Sequence, residues 1–225
     1  MATMQKSPKG LFITFEGIEG SGKTTHARKL FEYLKKRGYA CIFTQEPGGT
    51  PLGEKIRALL LNPESESIDA LTEVLLFEAS RREHVIKVIF PAIKKGEIVI
   101  CVRFNDSTLA YQGYGRKIPL NIINYLNRMV TESLEPDLTF LLDVTPRVGL
   151  QRALAHTPQE EMRFEKEFEK KGDLLREIRE GFLDLARKNP NRVKIMDSHK
   201  PKEEVFEAIK KEVENLLDQK VSDLK

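Results

Sequence analysis

The sequence predicts an α/β protein: a three-layer sandwich in which a five-stranded parallel sheet carries helices on both faces. Three observations carry that reading. Short apolar runs recur along the chain, each followed by a stretch with helical periodicity. The runs are apolar nearly throughout rather than alternating, as strands covered on both faces require. The first of them passes directly into a glycine-rich loop and then a helix.

The elements follow in order. Leu11–Glu16 (LFITFE) reads as the first strand, and the helix after the glycines runs from about Thr24 to Lys36 and ends at Gly38. Tyr39–Gln45, Ile98–Val102, Leu138–Val144 and Arg192–Met196 supply the remaining strands. A helical stretch from about Asp69 to Lys95 precedes the third strand. Pro91 is expected to break or bend its last turns, because proline has no N–H to give and its ring meets the carbonyl one turn back. After the fourth strand, Thr145 is suited to cap the next helix and Pro146 to open it. Pro201–Leu217 closes the chain's core with Val205, Ile209, Val213 and Leu216 on one face. No repeat, low-complexity tract or linker divides the sequence, so one domain over residues 1–225 is expected.

Composition excludes several classes. At 40% apolar and 32% charged, the chain fits neither a disordered nor a membrane protein. The net charge is only +3 and bases alternate with acids, as in KKGDLLREIREG, so no basic stripe calls for nucleic acid. Cys41 and Cys101 sit inside apolar runs without metal-ligand spacing, which points to buried reduced thiols and a reducing cytoplasm. The opening MATMQKSPKG is too polar for a signal peptide, and no later segment approaches the roughly 18 apolar residues of a membrane span. The expected location is therefore cytoplasmic.

Gly17, Ile18, Glu19, Gly20, Ser21, Gly22, Lys23 and Thr24 spell GIEGSGKT, which matches G-x-x-x-x-G-K-[ST] in the strand–loop–helix context that the motif needs. This makes the fold class a P-loop NTPase type. Glycines let backbone N–H groups close around phosphate oxygens, and the helix N-terminus adds partial positive charge. ATP is the expected occupant, with Lys23 reaching its β- and γ-phosphates and Thr24 offering a hydroxyl to Mg2+. The loop alone does not separate a kinase from other nucleotide-binding proteins. An N-K-x-D guanine motif is absent and the chain is too short for a motor, which leaves a small-molecule kinase in front.

The segments FEGIEGSGKTT, EPGGTPLGEKIRALLL, LLFEASRREHV, DSTLAYQGYGR, PDLTFLLDVTP and GLQRA, in this order, resemble bacterial thymidylate kinase. The resemblance implies phosphorylation of dTMP to dTDP by ATP and magnesium, a homodimer built by helix packing, and a short lid over about residues 153–171. It assigns Phe77 to stack on thymine, Arg81 to bond the base edge, Arg103 to hold the monophosphate, and Thr108, Tyr111 and Gln112 to line base and sugar. It places Glu19 near the sugar and the metal, and a lid arginine, best matched by Arg152, at the transferring phosphoryl group. Without it, Phe77 reads as core, Arg81 as a surface charge and Glu19 as a solvated loop acid. The acceptor is an already ionised phosphate, so no general base is expected among His26, His84, His156 and His199. These four read as surface or packing residues.

Three positions depart from the family pattern. Val102 stands where an aspartate usually precedes the arginine, Gln45 stands where an arginine usually precedes EPGGT, and the lid keeps only Arg152 and Arg163, with Leu154 and His156 between them. The missing aspartate removes an anionic partner for magnesium and an orienting group for Arg103. These departures keep two other readings open: a kinase of another nucleoside monophosphate, and a catalytically weak nucleotide-binding protein.

Overall fold

Leu11, Ile13 and Phe15 of the first strand point to one face of the sheet and Phe12 to the other, and all are buried. The structure, a computed structural model, describes residues 10–64 and 68–222. The opening segment, where no signal peptide was expected, thus falls outside the described residues up to Lys9.

Strands β1 (Leu11–Glu16), β2 (Cys41–Gln45), β3 (Ile98–Val102), β4 (Leu138–Asp143) and β5 (Val193–Asp197) form one parallel sheet in the order β2-β3-β1-β4-β5. On the Leu11 face lie α1 (Lys23–Lys36) and α10 (Lys202–Ser222), whose Leu30, Leu34, Ile209 and Val213 close the main core. α10 buries Leu217 and leaves Leu216 partly buried, a small rotation from the expected stripe. The opposite face carries the remaining helices. Thr14 and Thr139, register partners, share a 2.7 Å hydrogen bond there between their hydroxyls.

The long stretch before β3 is continuous but changes pitch. α3 (Ala70–His84) passes into a π-helical turn, Val85–Ile89, before α4 (Phe90–Lys94). Asp69 caps α3 by accepting from the amides of Leu71 and Thr72 at 3.0 and 3.1 Å. The Phe90 amide reaches back five residues to the Val85 carbonyl. Pro91 thus does not break the last turns as expected; the irregularity lies ahead of it, where a widened turn moves carbonyls away from the pyrrolidine ring. Thr145 is the N-cap of α7 (Pro146–His156) by position, yet its side chain does not cap the helix. His199 Nε2 instead accepts from the Thr145 amide at 3.2 Å and lies 3.4 Å from the Thr145 hydroxyl.

The chain continues through α2 (Pro51–Leu61), α5 (Asn105–Thr108), a second π-helical segment (Leu109–Gly115), α6 (Leu120–Thr131), α8 (Arg163–Lys170) and α9 (Gly172–Lys188). Cys41 and Cys101 are both free thiols, the first half-buried and the second buried. Among the described residues no helix is long and apolar enough to cross a membrane.

Candidate active site

The carboxyl ends of β1 and β3 meet where α1 leaves to one face of the sheet and the chain after β3 to the other, the position at which parallel α/β sheets open a crevice. A cleft of about 440 Å³ lies there. Its floor is the phosphate loop. Gly17, Gly20 and Gly22 all adopt positive φ, and at Gly20 a side chain would sit 2.0 Å from the Gly149 carbonyl oxygen, so only glycine lets the loop pack on α7. Lys23 folds back over the loop and donates to the carbonyls of Gly17 (2.9 Å) and Ile18 (2.6 Å). Burial first, and the Arg103 charge second, push its pKa down to about 7. Thr24 is exposed into the cleft at the first turn of α1.

Glu19 is 8% exposed, which rules out a solvated loop acid. Its Oε1 accepts from the Arg103 guanidinium at 2.9 Å and from the Tyr111 hydroxyl at 2.7 Å, while Oε2 is buried without a partner. That orphaned oxygen, together with the Thr24 hydroxyl, suits a hard cation, which takes oxygen ligands. No cluster of three or more His, Cys, Asp or Glu among the described residues could hold a metal by itself, so phosphates and water would complete its shell.

Arg103 is the hinge of the site. Its backbone is left-handed, with φ 68°, a costly conformation for a residue with a side chain. The strain is held from both sides: its amide donates to Phe15 at 2.9 Å, and the next amide, of Phe104, donates to Glu16 Oε1 at 2.7 Å. Glu16 Oε2 accepts from the Ser107 hydroxyl at 2.6 Å. The Arg103 guanidinium then lies over the Tyr111 ring, 4.9 Å from its centre, between the phosphate loop and the rest of the cleft.

The far end of the cleft is a chamber lined by Phe77, Thr108, Tyr111 and Gln112. The second π-helical segment turns both Tyr111 and Gln112 inward, and Gln112 donates to Glu73 at 2.8 Å. Arg81 also reaches this chamber, but from a buried position. It donates to Glu46 Oε2 (2.8 Å), Glu78 Oε1 (2.6 Å), Asn127 Oδ1 (2.9 Å) and the Phe104 carbonyl (3.1 Å). All but one of its N–H groups are engaged there, so it is a structural cation with a single donor left over. His84, fully buried, joins this network through Glu46 Oε1 at 2.9 Å and Thr44 at 2.6 Å.

Arg152 is not brought to the cleft. Its Cβ packs beside Gly20 of the phosphate loop, but its guanidinium donates to the Ser198 carbonyl at 3.1 Å and it does not line the cavity. The expected lid segment does reach the cleft, but through His156, Thr157, Glu161, Phe164 and Glu165. His156 therefore belongs to the site's wall rather than to plain surface. Sequence reasoning also passed over Arg57, which lines the cleft from α2 inside the already singled-out EPGGTPLGEKIRALLL, and over Phe164, whose ring lies 6.0 Å from Tyr111 and 6.5 Å from Phe77. Helical phase beside the buried Ile56 was the available signal for Arg57.

Fold and cleft together define a P-loop nucleotide-binding protein with an acceptor chamber opening directly off the phosphate loop. Residues 15–209 match the family model for thymidylate kinase. A thymidylate kinase from Symbiobacterium thermophilum is 44% identical over 207 residues, covering 92% of this chain and 94% of its own length. One from Pelobacter propionicus is 48% identical over 205 residues, covering 89% and 92%. A solved thymidylate kinase structure from Ehrlichia chaffeensis superposes with a TM-score of 0.74 at 38% identity, covering 92% of this chain and 99% of that one. The chain belongs to the thymidylate kinase family.

Proposed function

We propose that this protein transfers the terminal phosphoryl group of ATP to dTMP, giving ADP and dTDP, as a single domain with a lid over residues 153–171. The observation that carries the reading is the position of Arg103, tied to Glu19 of the phosphate loop and stacked on Tyr111 of the acceptor chamber. A monophosphate held by Arg103 would lie next to a nucleotide held by the loop, because Arg103 bonds Glu19 and the Gly17 carbonyl of that loop. The terminal P–O bond of ATP breaks as a bond forms from an oxygen of the acceptor phosphate, and that oxygen is already ionised, so no residue need take a proton.

Catalysis in such a transfer is positioning and charge stabilisation. Lys23 exchanges its loop carbonyls for the β- and γ-phosphates. Phe77 offers a ring to the base, Gln112 and Thr108 offer polar contacts, and Arg81 offers its remaining N–H. Tyr111, fixed by Glu19, fills space beside the sugar. Glu19 Oε2 and the Thr24 hydroxyl are the groups that would hold magnesium, which would supply charge neutralisation at the transferring group. With Arg152 turned onto Ser198, Lys23 and Arg103 are the cleft cations bonded to the phosphate loop.

A homodimer is supported by exposed apolar side chains on two adjacent helices: Leu71 and Leu75 on α3, and Ile122, Tyr125 and Met129 on α6. Such a patch on a charged surface fits a second copy of the chain. The two free thiols support residence in the reducing cytoplasm. The test is ADP release from ATP against dTMP, dUMP, UMP, CMP and AMP at low and high magnesium. A clear dTMP preference is expected. ATP binding with no stimulation by any monophosphate would replace the kinase reading with that of a weak nucleotide-binding protein.

A further inference from the structure

Four cations line the cleft, and three of them are committed within its walls: Lys23 to loop carbonyls, Arg81 to its buried acids, and Arg103 to Glu19. Arg57 differs. Its Nη1 donates to the Pro47 carbonyl at 3.1 Å, which pins the guanidinium at the cleft wall. Its other edge, Nε and Nη2, donates to the two oxygens of Glu161 at 3.2 and 2.6 Å. Glu161 also lines the cleft, from the short helical turn Gln159–Glu161 between α7 and α8, which packs against α2. The pair is accessible, with 20% of the Arg57 side chain and 34% of the Glu161 side chain exposed.

An N–H fork that fits a carboxylate bidentately fits a phosphate the same way. One edge cannot serve both. We propose that Glu161 competes with the acceptor for the Arg57 fork. It occupies the guanidinium edge at the cleft and yields it to the phosphate of the incoming nucleoside monophosphate, so that acceptor entry and release of this lid contact are one exchange. The inference rests on the acceptor reading above. A dianionic phosphate brings more charge than a single carboxylate, which sets the direction of the exchange. The lid segment does not depend on this contact for its fold, because Arg163 bonds the Leu60 carbonyl and Glu73, and Glu167 pairs with Arg116.

The test is a double-mutant cycle on Glu161 and Arg57, read as dTMP affinity by titration calorimetry. Glu161→Gln keeps size and shape but removes the competing charge. For a pair this accessible, dTMP affinity is expected to rise about two- to fivefold, with ATP affinity unchanged. In an Arg57→Gln background, with no guanidinium left to release, the same change at Glu161 is expected to leave dTMP affinity unaltered. A bracing role alone would leave dTMP affinity in Glu161→Gln unchanged or weaker, and either result overturns the proposal. So does a gain of equal size in the Arg57→Gln background. Turnover of dTMP by the unmodified protein, measured alongside, reports separately on the proposed reaction.

Discussion

Gln45 and Val102 are register partners at the ends of β2 and β3, and both face the cleft. Two of the three departures from the family pattern are thus one neutral pair, not independent losses. Val102 is 5% exposed and belongs to the core on the α1 face, which it extends to the cleft floor. An aspartate placed there alone would be a buried carboxylate opposite an uncharged amide. Such a charge costs on the order of several kcal/mol when unpaired. Val102→Asp is therefore expected to lower the denaturation midpoint, and only Gln45→Arg with Val102→Asp should recover it and reduce the magnesium needed for half-maximal rate. A single mutant as stable as the parent would show that the pair is not coupled.

Lys23 is held near neutrality in the free protein, by burial first and by Arg103 second, at a pKa of about 7. Polyphosphate beside it favours the ammonium form. ATP binding between about pH 7 and 9 should therefore take up protons, visible as a binding enthalpy that varies with the ionisation enthalpy of the buffer. Lys23→Met should abolish that uptake and lower kcat by on the order of 10²–10³.

Arg81 and Phe77 share a helix face, yet their substitutions should separate cleanly. Arg81→Ala leaves Glu78 without its ion-pair partner and Glu46 with only His84, both carboxylates almost fully buried, and should cost about 3–5 kcal/mol of stability in urea unfolding. Phe77→Ala leaves that network intact. It removes a stacking surface worth about 1–3 kcal/mol per base and should raise KM for dTMP roughly ten- to a hundredfold with little change in KM for ATP.

Glu16 gives the site a pH dependence of known sign. Burial, and then repulsion by Asp106, raise its pKa from 4.5 to about 7. Below 4.5 the carboxyl is protonated in folded and unfolded chains alike. As the pH rises the unfolded chain ionises first, so the stability held by the protonated form is lost progressively up to about pH 7. A difference of that size is worth on the order of 3 kcal/mol. Glu16→Gln can still accept from the Phe104 amide and meet Ser107, and relative to it the parent should lose stability between pH 4.5 and 7. Parallel stability profiles for the two proteins would show that Glu16 does not titrate in this window.

The sheet and the phosphate loop were legible in the sequence because strand runs and glycine spacing are local signals. β1 and β3 fall on the expected residues, and the loop glycines adopt positive φ. The π-helical turn before Pro91 and the one carrying Tyr111 were not legible, since no local pattern distinguishes a helix that widens from one that does not. The chamber lining was legible only through family resemblance. Nothing in the spacing of Phe77, Gln112 and Phe164 says that three separate elements bring them together. Arg152 shows the limit of matching by position. The residue sits where the pattern wants a cleft arginine, but the helix phase turns it onto Ser198.

Glu73 is wholly buried, and it bonds Gln112 from the chamber wall, Arg116 just past the same π-helical segment, and Arg163 from the lid segment. One carboxylate is thereby the common anchor of the surface that would read the base and of the flap that would cover it. Under the proposed lid, selectivity and closure are coupled through Glu73. A change that reshapes the base pocket through Gln112 also shifts the seat of the lid, so variants with an altered nucleoside preference should carry altered opening rates with them.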